Sequence, residues 1–180
     1  GRIRLPGGRG LDVSGTWWGH LPQAVNAAAG AVVLDLLGVP LATVRIAAER
    51  FAPLPHRQEE FAEHRGVVFV DDSKASTLSA LQASVAAGRQ KKHLIAGGIL
   101  KESDVGFVKE ILAENCAFVY CIGIAGEKMV EAWSEVVPCE NCGDLATAVN
   151  AVFARMKSGE RVLLSPGCSS FDQFTSYAQR

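Results

Sequence analysis

Val162-Leu163-Leu164-Ser165-Pro166-Gly167-Cys168-Ser169-Ser170-Phe171-Asp172-Gln173-Phe174 is the stretch on which the reading of this chain turns. A short apolar run stops at small polar residues around Pro166 and Gly167. A run without alternation suits a strand buried on both faces, and a Pro/Gly turn straight after it suits that strand's carboxyl end. The turn offers hydroxyls and free N–H groups at the start of an amphipathic segment expected to be helical over 171–180. Such a place can seat a carboxylate or a phosphate. An ordinary strand–turn–helix joint fits the same residues.

Upstream, the pattern alternates. Strands are expected over 67–70, 93–96, 117–122, 135–137 and 161–164, with helices over 77–88, 104–114, 125–133 and 144–157 between them. Continuous apolar strands alternating with helices predict an α/β fold, a mostly parallel sheet with helices on both faces. Before it, residues 7–19 are glycine-rich and irregular, and helices are expected over 22–37 and 42–50. Phe51-Ala52-Pro53-Leu54-Pro55 forbids a helix and reads as a semi-rigid linker, so a boundary is placed between regions 1–53 and 54–180.

Bulk properties narrow the function. The chain has 180 residues, 48% hydrophobic and 21% charged, with a net charge of −1. That balance argues against a nucleic-acid surface. No apolar run reaches membrane-spanning length, so no membrane partner is expected. Five cysteines without regular spacing suit a reduced, cytoplasmic protein. Cys139 and Cys142 form a lone C-x-x-C pair, two ligands where structural zinc needs four, so chance or surface thiols are the favoured reading.

In an open α/β sheet, ligands bind beyond the carboxyl ends of the strands. Asp71-Asp72-Ser73-Lys74 follows one expected strand. Its carboxylates could bond a ribose and its ammonium could neutralise an anion, while Asp72 or Ser73 could equally cap the next helix. Gly97-Gly98-Ile99-Leu100-Lys101 follows another. A glycine pair there lets backbone approach a ligand, or simply makes a turn.

Two blocks resemble one family. Leu164 to Phe174 resembles the closing signature Leu-Ser-Pro-Ala-Cys-Ala-Ser-x-Asp-Gln-Phe of the Mur ligases that add D-glutamate, with Gly167 and Ser169 at the alanine positions. Leu54-Pro55-His56-Arg57, followed by Asp71-Asp72-Ser73-Lys74-Ala75-Ser76-Thr77, resembles their Leu-x-His-Arg and Asn-Asp-Ser-Lys-Ala-Thr-Asn. The resemblance implies a Rossmann-like domain over 54–180, a D-glutamate-binding lid, preceded over 1–53 by the helical end of an ATP-binding central domain. It implies that Ser76, Lys101, Ser170 and Tyr177 hold D-glutamate, with Lys74 near the same phosphate or carboxylate groups. It implies that Arg57, Asp72 and Asn26 contact ATP, Asn26 closing Gly19-His20-Leu21-Pro22-Gln23-Ala24-Val25-Asn26. Leu100, Glu102 and Pro22-Gln23 depart from the family strings, and His20 is out of register. Asp172 and Gln173 are expected to hold the fold.

The implied reaction activates a carboxylate with ATP and magnesium and joins it to D-glutamate, the acceptor being UDP-N-acetylmuramoyl-L-alanine. The P-loop string such chemistry uses is absent from these residues, and magnesium ligands are expected outside them. The chain alone is therefore expected to be inactive, and monomeric. A non-catalytic nucleotide-binding or interaction module of the same fold is the other reading left open.

Overall fold

The computed structural model describes residues 1–19 and 23–180. His20, Leu21 and Pro22 lie outside the described residues. The chain separates into two compact units, Gly1–Pro53 and Leu54–Arg180.

In the first unit, β1 (Arg2–Arg4) and β2 (Gly10–Asp12) form a small antiparallel hairpin, with β2 inside the stretch 7–19 expected to be irregular. Helices α1 (Gln23–Leu36) and α2 (Leu41–Arg50) complete it. Ile3, Leu5, Leu11, Val13, Ala31 and Val44 make its core. On α1, Val25, Val33 and Leu36 stay exposed, as does Leu37 just beyond it.

The second unit is built on β3 (Glu59–His64), β4 (Val67–Asp71), α3 (Leu78–Ala86), β5 (Lys92–Gly97), α4 (Lys109–Asn115), β6 (Cys116–Ile122), α5 (Gly126–Trp133), β7 (Cys139–Gly143), α6 (Leu145–Arg155) and β8 (Arg161–Leu164). The sheet order is β3-β4-β8-β5-β6-β7; β3 pairs antiparallel and every other pairing is parallel. Register explains the unbroken apolar strands. Val70, Leu163, Leu94 and Val119 form one rung and face α3, α4 and α5 with Leu78, Leu81, Leu112, Met129 and Trp133. Ile95 and Tyr120, on the next rung, face the other way, toward Ala148 and Val152 of α6. Neighbouring residues thus bury on opposite faces, so the central strands are largely apolar without alternation.

Three expectations fail. Over 171–180 there is no helix, only turns. The residues that would continue one are spent locally: Thr175 N–H donates to Gln179 Oε1 at 2.6 Å and Gln179 N–H to Ser176 Oγ at 3.2 Å. The strand expected over 135–137 lies instead at Cys139–Gly143. The N–H groups of Val136 and Val137 both donate to Trp133 O, so these valines close α5 rather than enter the sheet. Finally, β3 was not expected. It is an edge strand with almost every residue exposed, so no hydrophobic period marks it.

The position of β7 also settles the cysteine pair. Three residues apart on a strand, Cys139 packs with the α3–α5 face and Cys142 with the α6 face. They point to opposite sides of the sheet and cannot share a metal or a disulfide in this arrangement.

Candidate functional site

Parallel strands bring their carboxyl ends to one edge. Asp71 of β4 and Leu164 of β8 stand level, paired in register, while β5 runs on to Gly97. Because β8 inserts between β4 and β5, the loops 72–77, 98–101 and 165–170 leave adjacent strands, where the direction of winding changes.

Backbone hydrogen bonds tie these loops together. Gly167 N–H donates to Ala75 O at 3.0 Å, and Gly97 N–H to Pro166 O at 2.9 Å. Ile99 and Ser169 exchange two bonds, both 2.9 Å, as an isolated antiparallel bridge. The glycine pair makes this approach possible. A Cβ on Gly98 (φ 128°) would lie 2.2 Å from Ser169 O, and one on Gly97 (φ 134°) would lie 1.9 Å from Ile122 O.

Of the D-glutamate candidates, Ser76 and Lys101 meet directly, while Tyr177 and Ser170 each have other partners. Lys101 Nζ donates to Ser76 Oγ at 3.0 Å, so the residues from β4 and β5 meet in an exposed pair. Tyr177 meets Lys74, whose Nζ lies 5.3 Å from the ring centroid, and His56, whose ring stands 5.8 Å away at 79°. Ser170 is buried in the loop bridged to Ile99, where its carbonyl accepts from Phe174 N–H at 2.9 Å. An ammonium donating to a hydroxyl and an ammonium over an aromatic face each suit an anionic group on a small ligand.

The nucleotide candidates belong to both units. Asp72 is 6% exposed, and burial raises its carboxyl above the ordinary range. Ser84 and Ser165 donate hydroxyls to it, the latter at 3.2 Å, and Gln58 N–H donates at 3.2 Å. Its oxygens are engaged inside the fold. Nor does Asp72 or Ser73 cap α3; Thr77 does, accepting from Ala80 N–H at 3.3 Å, and Glu102 Oε1 accepts from Leu78 N–H at 3.1 Å. Arg57 is exposed, between His56 and Gln58, both in the left-handed region (φ 62° and 53°). Asn26 is exposed on α1 of the other unit.

Asp172 accepts from Ile124 N–H at 3.0 Å and Gln173 Nε2 donates to Gly143 O at 2.7 Å, so the two latch the turns after β6 and β7. Residue patterns missed Arg180, which donates to Ser73 O at 2.7 Å and to Cys168 O at 3.2 Å. Burial lowers its guanidinium from the ordinary value. They also missed the hydrogen bond of His56 Nδ1 with Asp71 Oδ2, at 2.7 Å. The Asp71 position, where the family strings carry Asn, was the available signal. His56, Glu59 and Asp71 offer ligand atoms within 4.8 Å of one another, and His56 Nδ1, Glu59 Oε2 and both Asp71 oxygens already make hydrogen bonds.

Residues 56–168 match the family model for the Mur ligase glutamate ligase domain. The chain is 39% identical over 155 residues to the UDP-N-acetylmuramoylalanine–D-glutamate ligase of Acidobacterium capsulatum, covering 86% of this chain and 34% of that protein. It is 41% identical over 183 residues to the ligase of the same name from Rubrobacter xylanophilus, covering 98% and 39%. Among solved structures, MurF ligase from Thermotoga maritima with ADP superposes with a TM-score of 0.66 at 23% identity, over 87% of this chain and 36% of that one. The bifunctional folylpolyglutamate synthase/dihydrofolate synthase of Yersinia pestis gives 0.62 at 22%, over 83% and 36%. The chain thus spans little more than a third of the curated relatives it matches, and its residues 56–168 carry their glutamate ligase domain: it belongs to the Mur ligase family.

Proposed function

We propose that this chain is the C-terminal part of an ATP-dependent ligase that adds D-glutamate to UDP-N-acetylmuramoyl-L-alanine. The observation that carries the reading is the Lys101–Ser76 hydrogen bond at the strand edge, where loops from β4, β5 and β8 are tied together. Ser76, Lys101, Ser170 and Tyr177 hold D-glutamate, and Lys74 adds positive charge beside Tyr177. Region 54–180 acts as the lid that carries the amino acid to an activated carboxylate. Region 1–53 is the end of the central domain, a reading supported by the exposed apolar side chains of α1.

The family's ATP and magnesium are only partly accommodated by the residues present. Arg57 offers an exposed cation, and Asn26 an exposed amide. Asp72 reaches a nucleotide only by giving up an internal partner. The described residues include no P-loop. When bound, ATP supplies the phosphoryl group that activates the acceptor's carboxylate. What this chain contributes is orientation: two ammonium groups and two hydroxyls place a dicarboxylic amino acid with its amine free to attack.

The test compares the full-length protein with the 180-residue chain. The full-length protein should release ADP only with both D-glutamate and UDP-N-acetylmuramoyl-L-alanine present; the chain alone should release none. ADP release from the chain alone, or from the full-length protein without D-glutamate, refutes the reading.

A further inference from the structure

His56, just before β3, is held through both its side chain and its backbone. Its Nδ1 lies 2.7 Å from Asp71 Oδ2, and Asp71 Oδ1 is itself fixed by Ser73 N–H at 2.8 Å. Its N–H donates to Glu59 Oε2 at 3.0 Å, and its carbonyl accepts from Lys74 N–H at 3.3 Å. Its backbone occupies the left-handed region at φ 62°, which a non-glycine residue keeps only when its surroundings enforce it. This restraint fixes one ring, and that ring meets Tyr177 at 5.8 Å and 79°. Lys74 Nζ approaches the same Tyr177 ring, 5.3 Å from its centroid. Tyr177 lies in the helix-free segment 171–180, whose far end is tied to Ser73 O and Cys168 O by Arg180.

We propose that the Asp71–His56 pair is a positioning device: it clamps the Tyr177 ring, and with it segment 171–180, against the loop after β4, and so shapes the amino-acid pocket. The clamp follows from the geometry alone. Its effect on the pocket rests on the proposed role of Tyr177 in holding D-glutamate. A neutral Asn at position 71 could still hydrogen-bond the imidazole but would not hold it as firmly, because a carboxylate is the stronger acceptor. His56 acts through Tyr177 and is a positioning residue, not a catalytic one.

Two measurements test this. In the 180-residue chain, His56→Ala should speed amide hydrogen exchange across 171–180 by about threefold or more, leaving β5 unchanged, because local opening is governed by local restraints. Asp71→Asn should fall between wild type and His56→Ala. Should His56→Ala disturb β5, Tyr177→Leu, which leaves β4 intact, should show the same localised acceleration. Unchanged exchange over 171–180 in the folded variant overturns the clamp. In the full-length protein, His56→Ala should raise the KM for D-glutamate about fivefold, with kcat and the KM for ATP within about twofold, as for a lost binding contact. An unchanged KM for D-glutamate overturns the effect on the pocket. A wild-type protein without D-glutamate-dependent ADP release overturns the proposed function instead, and the exchange result still decides the clamp.

Discussion

Asp72 shows how one buried carboxylate can organise a strand edge. Ser84 of α3, Ser165 after β8 and the Gln58 backbone all donate to it. Asp72→Ala would strand buried donors, a loss of about 1–3 kcal/mol that denaturant titration would register. Asp72→Asn keeps an acceptor and removes the charge. Because burial raises the Asp72 carboxyl, its protonated form favours the fold. That contribution is full below the ordinary carboxylate range and fades as pH rises through the raised value. Stability curves for Asp72→Asn and wild type should therefore converge in acid and separate in the variant's favour toward neutrality. Gly98 is the second decisive residue. Gly98→Ala drives a methyl into Ser169 O from a backbone region closed to alanine. It should cost about 1–3 kcal/mol and raise the KM for D-glutamate in the full-length protein. Gly98 was conspicuous in the sequence as half of a Gly-Gly pair. The collision that makes it obligatory was not, because Ser169 lies far away along the chain.

Elements were legible where burial was two-sided. β5, β6 and β8 lie within one residue of expectation because both faces are covered and the runs 94–97, 116–122 and 162–164 carry no charged side chain. Where one side is open the signal disappears: β3 presents glutamates to solvent, and β7 carries Glu140 and Asn141. Thiol chemistry follows burial, in β7 and in the loop after β8 alike. Cys142 is pushed up to about 11 and Cys168 to about 12, in each case mainly by burial. A thiol reagent at neutral pH should label the half-buried Cys139 and Cys142 first and leave Cys116, Cys121 and Cys168 unmodified until denaturant is added. Mass spectrometry would count the adducts. A Cys139–Cys142 disulfide under mild oxidation would contradict the opposed geometry. On α3, Thr77→Ala should cost about 1 kcal/mol and Thr77→Ser little, since the hydroxyl is the cap.

At the scale of the whole chain, Gly1–Pro53 has a small core of its own and Leu54–Arg180 a two-layered one. A unit the size of the first is marginal when isolated. Brief trypsin treatment should cut near Arg50, at the boundary where the exposed Phe51 and Leu54 lie. It should leave a product from the second unit with a cooperative melt, followed by circular dichroism. Loss of all folded signal on cutting would show that the second unit needs the first.

The sequence by itself determined the alternation of buried strands and helices, the break at Pro53 and Pro55, and the family, because apolar runs, prolines and glycine turns act over a few residues. Tertiary structure alone decided that β8 inserts between β4 and β5, that Asp72 turns inward, and that His56 meets Tyr177. Each joins residues distant along the chain, and strand order and desolvation are properties of the assembled sheet rather than of any segment within it.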